Sequence, residues 1–296
     1  MNYISNGDFR TFISNIIPNE TENKGIISSH EKVRDILTNS DLNAKIRKTL
    51  VTGSYKRNTD TKKLSKSNSK VDVDLGVIFK KDALTIPQSI LDKLYNVLNN
   101  EDEYKGKLIR QKRSIGIELS NRHVDVVPFQ EVEINQDKPL SISSLNKQEW
   151  EITNPICHID HFIKVKQKHL FFTDYVRAIK WWIKINKPNQ IKYPIGIAVE
   201  TLVEKYYSDN SNQVSALLEI MKVINSEQLM ILLDPCNNEN NLLSSKKSQK
   251  DLKDFYTRLN KSLEELHQAL INKNINVFRK YFGNEFPKCE IISFIK

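Results

Sequence analysis

Apolar positions recur at two different periods along the chain, and the change of period divides it. Phe9, Phe12, Ile13 and Ile16 fall at helical spacing ahead of Pro18 and predict a first helix. Ser28-x-x-Glu31 is a capping-box pattern before Val33, Ile36 and Leu37, and predicts that a second helix opens there. Near Leu50-Val51-Thr52 the pattern turns extended and meets Gly53-Ser54; residues 56–70 are then polar, lysine-rich and read as a loop. The run Val71-Asp72-Val73-Asp74-Leu75-Gly76-Val77-Ile78-Phe79 is rich in β-branched residues and alternates over its first five positions, which predicts a central strand. Residues 114–119 and 123–128 predict two more strands, with a turn near Asn121.

From Trp150 onward the strand signals fade. Helical spacing over 174–185, 195–207, 213–224 and 252–272 predicts a helical second half, interrupted by a polar surface loop over 237–250. No fixed-period repeat is present. The expectation is an α+β protein with a small mixed sheet and a C-terminal helical lobe, divided into residues 1–150 and 151–296. At 296 residues the chain is long enough for two lobes and a sizeable core.

Composition narrows the class. With 39% hydrophobic and 27% charged residues the chain reads as folded and globular, which excludes extensive disorder. Cys157, Cys236 and Cys289 form no C-x-x-C pair, so neither a disulfide framework nor a zinc knuckle is expected, and a reducing cytoplasm fits. The first residues lack a basic and apolar leader, and no apolar run approaches the ~20 residues of a membrane span, so neither export nor membrane insertion is expected. The net charge of +9 favours phosphate-bearing partners, but abundant Lys beside Asn produces the same charge through composition alone. It permits phosphate chemistry without proving it.

The candidate chemistry lies in three acids. Residues i and i+2 of a strand share a face, so Asp72 and Asp74 present two carboxylates side by side. Such a pair repels itself unless a cation sits with it, and carboxylate oxygens are the hard ligands that magnesium favours. Asp125 lies on another predicted strand between Val124 and Val126, where an unpaired charge is penalised. A D-x-D alone also fits a solvent-facing edge strand. The preceding Gly53-Ser54 adds weight, because glycine lets the backbone approach a phosphate and a serine hydroxyl can donate to it.

Gly53-Ser54-Tyr55-Lys56-Arg57-Asn58-Thr59, Val71-Asp72-Val73-Asp74-Leu75-Gly76-Val77 and Val124-Asp125-Val126-Val127-Pro128 together resemble the cGAS/DncV-like nucleotidyltransferases of bacteria, the CD-NTases, within the polymerase-beta-like superfamily. Arg177-Ala178-Ile179-Lys180-Trp181-Trp182, Asp234-Pro235, Asn240-Asn241 and Phe278-Arg279-x-x-Phe282-Gly283 resemble that family's helical lobe. The resemblance implies a polymerase-beta-like fold with the active site in the cleft between the lobes. It also implies a two-metal transfer with Mg2+, or Mn2+ in its place. Asp72 and Asp74 would hold both ions; Asp125 would complete the site and help deprotonate the attacking ribose hydroxyl. Gly53 and Ser54 would cradle the donor phosphates and Lys180 would reach the same group. Tyr193 would supply the ring that stacks on a base, and Lys192 stands where the family places a serine.

In function, the resemblance implies a synthase that condenses nucleoside triphosphates into a cyclic di- or oligonucleotide second messenger in an antiphage (CBASS) operon. Its diffusible product would reach a downstream effector protein, and the resemblance leaves room for a regulatory protein partner. Cys157-His158-Ile159-Asp160-His161 gathers only three N/S donors with no second cluster at finger spacing, so a metal cluster is not expected there. Animal members of the family that the chain resembles carry a zinc-bearing insertion for DNA sensing, and the resemblance without such an insertion implies no direct activation by DNA. Trp181 and Trp182 point about 100° apart on a helix and read as core. Two alternatives stay open at this level: a transferase giving linear chains or modifying another acceptor, and a catalytically silent nucleotide sensor.

Overall fold

The computed structural model describes residues 4–62, 64, 71–81, 86–120, 122–131, 140–143, 149–187, 194, 196–243 and 246–288. Helix α1 (Asn6–Ile16) forms where the apolar spacing predicts it and buries Phe9, Phe12, Ile13 and Ile16. Helix α2 (Glu20–Thr38) begins well before Ser28. Its cap is Asn19, whose Oδ1 accepts from the Glu22 amide at 2.8 Å, while Glu22 Oε2 accepts from the Asn19 amide at 2.9 Å. The capping box is therefore the right motif in another place: inside a continuous helix the amides near Ser28 already have partners.

The described contacts fall into two compact units, Pro18–Ile163 and one made of Met1–Ile17 with Lys164–Lys296. The first holds the sheet. Its elements are β1 (Ile46–Val51), α3 (Gly53–Arg57), β2 (Val71–Phe79), α4 (Pro87–Asn99), β3 (Leu108–Arg110), β4 (Ile115–Glu118), β5 (Arg122–Glu131), β6 (Leu140–Ser143) and β7 (Trp150–Thr153), with α5 (Pro155–Lys168) following. Strand order is β1-β2-β5-β4-β3, with β6 joining β5 and β7 joining β6. The β2–β5 pair is parallel and the others are antiparallel, so the sheet is mixed as expected.

Alternation sorts the two faces of the central strands. Val73, Leu75, Val77 and Phe79 of β2 and Val124 and Val126 of β5 enter one buried core with Ile26, Val33 and Leu37 of α2 and Ile90, Leu91, Leu94 and Leu98 of α4. Burying each such side chain contributes roughly 1.5–3 kcal/mol. That fixes the register, because a slip of one residue would turn Asp72 and Asp74 into this core. The opposite face carries the acids and, further along, Ile78 and Phe129 with Leu50, Val127, Ile142 and Ile156.

The second unit is built from α1, α6 (Phe172–Asn186), α7 (Gly196–Lys205), α8 (Gln213–Glu227), α9 (Lys246–Ile271) and α10 (Ile275–Phe282). Strands β8 (Leu233–Asp234) and β9 (Asn237–Asn241) form a hairpin where the sequence reading placed a loop from 237. Side chains make that polar hairpin: Asp234 Oδ1 accepts from the Cys236 amide at 2.8 Å and Asn241 Oδ1 from the Leu232 amide at 2.9 Å. Trp181 and Trp182 are fully buried, their indole N–H groups donating to Phe282 O and Ser262 Oγ. They are core residues, as expected.

The aromatic face of α1 explains why the first residues group with the last rather than with a continuous 1–150 segment. Phe9 meets Tyr175 at 5.8 Å, and Phe12 meets Phe282 at 5.2 Å and Phe286 at 5.3 Å. Among the described residues no helix is long and apolar enough to cross a membrane.

Candidate active site

Strand periodicity brings the three acids together. Asp72 and Asp74 leave β2 on the face opposite its core residues, and the parallel register sets Asp74 directly beside Asp125 of β5 and Asp72 beside His123. Asp72 is exposed; Asp74 and Asp125 are partly buried. Burial, then the neighbouring charges of Asp125 and Asp72, push the Asp74 carboxyl up to about 6, against the opposing pull of Arg57 and His123. Among the described residues no hydrogen bond or ion pair reaches the Asp74 carboxylate. An acid crowded by two like charges, with no donor of its own, is comfortable as a carboxylate only beside a cation.

The Gly-Ser turn is fastened to the same strand. The Thr52 amide donates to Asp74 O at 2.8 Å, and the Thr59 amide closes the short α3 on Ser54 O at 2.9 Å. Gly53 has φ +68°, and a Cβ there would collide with the Asp74 carboxylate, so both the backbone conformation and the space require glycine. Gly53 therefore stands immediately against the Asp74 carboxylate, with Ser54 following it in α3.

A second layer of polar residues was not anticipated. Gln111 Nε2 donates to Asp125 Oδ1 at 2.8 Å and Ser114 Oγ donates to the same oxygen at 3.0 Å. His123 Nε2 lies 3.2 Å from that oxygen, and its Nδ1 lies 2.6 Å from Glu118 Oε1. The hydrogen bond to Asp125 is the largest influence on His123; with the charges of Asp125 and Glu118 it outweighs burial and lifts the imidazole to about 9. One sequence signal could have found His123, since it stands two residues before Asp125 and must share its face.

Lys180 belongs to the other unit. Its ammonium lies 2.6 Å from Glu200 Oε1, a carboxylate with no solvent exposure. Tyr193 and Lys192 lie outside the described residues. The donor set suits a hard divalent cation: oxygen ligands only, two of them on one strand and a third in register beside them.

Comparison with known proteins places the chain in a family. Residues 2–165 match the family model of the Second Messenger Oligonucleotide or Dinucleotide Synthetase domain. The chain is 27% identical over 297 residues to the cyclic AMP-AMP-AMP synthase of an Acinetobacter species, covering 95% of this chain and 84% of that protein. It is 22% identical over 351 residues to the cyclic AMP-AMP-GMP synthase of Enterobacter hormaechei, covering 94% and 91%. Among solved structures, the E. coli MS115-1 CdnC:HORMA-deltaN complex contains a chain of the same fold, with a TM-score of 0.73 at 18% identity over 97% of this chain and 99% of that one. The chain belongs to the Second Messenger Oligonucleotide or Dinucleotide Synthetase family, the CD-NTases, and is a nucleotidyltransferase that condenses nucleoside triphosphates into cyclic second messengers.

Proposed function

We propose that Asp72, Asp74 and Asp125 hold the divalent cations of this reaction, two Mg2+ ions with Mn2+ as a substitute, and that the product is a cyclic oligonucleotide containing adenylate. CD-NTases generally use divalent metals. The observation that carries the reading is the register that sets Asp74, an acid without a donor, beside Asp125 and against Gly53. Bound divalent cations would activate the attacking ribose hydroxyl, neutralise the triphosphate and stabilise the departing pyrophosphate.

The chain's own groups orient the reactants and move the proton. Gly53 offers an unobstructed backbone and Ser54 a hydroxyl to the donor phosphates. Asp125 accepts the proton of the attacking hydroxyl. Lys180 contributes to phosphate binding, but its pairing with Glu200 makes that contribution smaller than a free lysine's. Tyr193 is assigned to the base by the family likeness alone. Adenylate follows from the shared part of the two relatives' names. A cytoplasmic enzyme whose diffusible product acts on an effector in antiphage defence, with a regulatory protein partner as in the CdnC:HORMA-deltaN complex, is the setting this reading supports.

The test is incubation of the purified protein with the four nucleoside triphosphates and Mg2+ or Mn2+, followed by phosphatase and mass spectrometry. A phosphatase-resistant adenylate-containing product is expected, reduced at least ~100-fold in D72N/D74N. Phosphatase-sensitive chains alone would replace the cyclase with a linear polymerase. Undiminished product from the double variant would remove the metal assignment.

A further inference from the structure

We propose that Gln111, Ser114 and His123 are positioning residues that grip one oxygen of Asp125 and so present its other oxygen, Oδ2, to the cation and the attacking hydroxyl. The inference rests on the reading of Asp125 as the third carboxylate of the site. The three groups lie within hydrogen-bonding range of Oδ1, at 2.8, 3.0 and 3.2 Å, and among the described residues no hydrogen bond reaches Oδ2. Three partners saturate one carboxylate oxygen, which has about two lone-pair positions, and they fix the rotation of the whole group.

The scaffold is shaped for this grip. Gln111 and Ser114 close the β3–β4 hairpin, the Gln111 amide donating to Ser114 O at 3.0 Å, which aims both side chains at the β5 acid. Gly116 is the residue opposite Asp125 in β4, and Glu118 is opposite His123. A Cβ at Gly116 would lie 2.8 Å from Gln111 Nε2 and 2.7 Å from His123 Cε1, so the missing side chain is the space in which those two groups reach Asp125. Glu118, 2.6 Å from His123 Nδ1, sets the ring's orientation from the far side. A carboxylate with two free oxygens could rotate or bind in either of two ways; one with a single free oxygen is already in the form that the site needs.

The experiment measures Mn2+ affinity by electron paramagnetic resonance, kcat and KM for the nucleoside triphosphate, and folding by circular dichroism. The variants are Q111A/H123A, G116A, S114A and S114T, with D125N as reference. Q111A/H123A and G116A are expected to weaken Mn2+ binding about 10–100-fold and to lower kcat by a similar factor, with KM changed less than about twofold. S114A should show a smaller loss that S114T, which restores a hydroxyl, recovers. G116A keeps every polar group, so a loss there reports geometry. If the folded variants bind Mn2+ and turn over as the unmodified protein does while D125N fails in both, the positioning role is wrong and the metal site stands. If D125N itself leaves Mn2+ affinity and turnover intact, the metal reading of Asp125 falls and the positioning role with it.

Discussion

Asp74 ties the stability of the metal-free protein to pH. Its carboxyl titrates near 3.8 when unfolded and at about 6 in the folded chain. Between those values the folded state binds the extra proton, so the stability from the neutral acid is complete below about pH 4 and lost as pH rises through 6. The displacement corresponds to about 3 kcal/mol. Relative to D74N, the metal-free protein is expected to melt at progressively lower temperature from pH 4 to 7, with Mg2+ closing the gap above pH 6. Differential scanning calorimetry of the two proteins checks this, and parallel pH profiles would show that Asp74 carries no such strain. His123 acts in a higher window: its contribution is complete below 6.5 and lost through about 9. At this scale the three aspartates were legible because charges at i and i+2 in a β-branched run are costly without a partner. Gln111, Ser114 and Glu118 were not, because only the hairpin and the β4–β5 pairing bring them to Asp125.

Among the elements, α2 separates a pattern from its use. Asn19→Ala is expected to cost about 1 kcal/mol and Ser28→Ala less than about 0.5 kcal/mol, since only the former removes a cap. Urea unfolding of both variants checks the difference; equal losses would return the helix start to Ser28. The long buried strands β2 and β5 were visible from composition and alternation. Strands β3, β6 and β7, with three or four residues each, are too short to display a period. Helix α4 is a different case: Ile90, Leu91, Leu94 and Leu98 are at helical spacing with Pro87 at its first position, so its signal is present in the sequence. The β8–β9 hairpin depends on Asp and Asn side chains bonding to amides, a local chemistry that resembles a loop in sequence.

For the whole molecule, the discontinuous unit makes a prediction about α1. Removing residues 1–17 uncovers Tyr175, Phe282 and Phe286. The expected result is a red shift of tryptophan emission from the unit that holds Trp181 and Trp182, and a lower first melting transition, with the 18–163 unit keeping its own. An unchanged emission spectrum would mean that α1 is an ornament on that unit rather than part of its core. The two halves of the chain were separable in sequence by their change of period; the return of α1 to the far end was not, because a helix's apolar face does not name its partner. Order of synthesis gives that return a cost in time. Translation at ~5–20 residues per second releases α1 roughly ten seconds or more before α6 and α10. Residues 18–163 can fold as they emerge, while the apolar face of α1, Phe9 and Phe12, must wait for the later-made helices α6 and α10 that receive it.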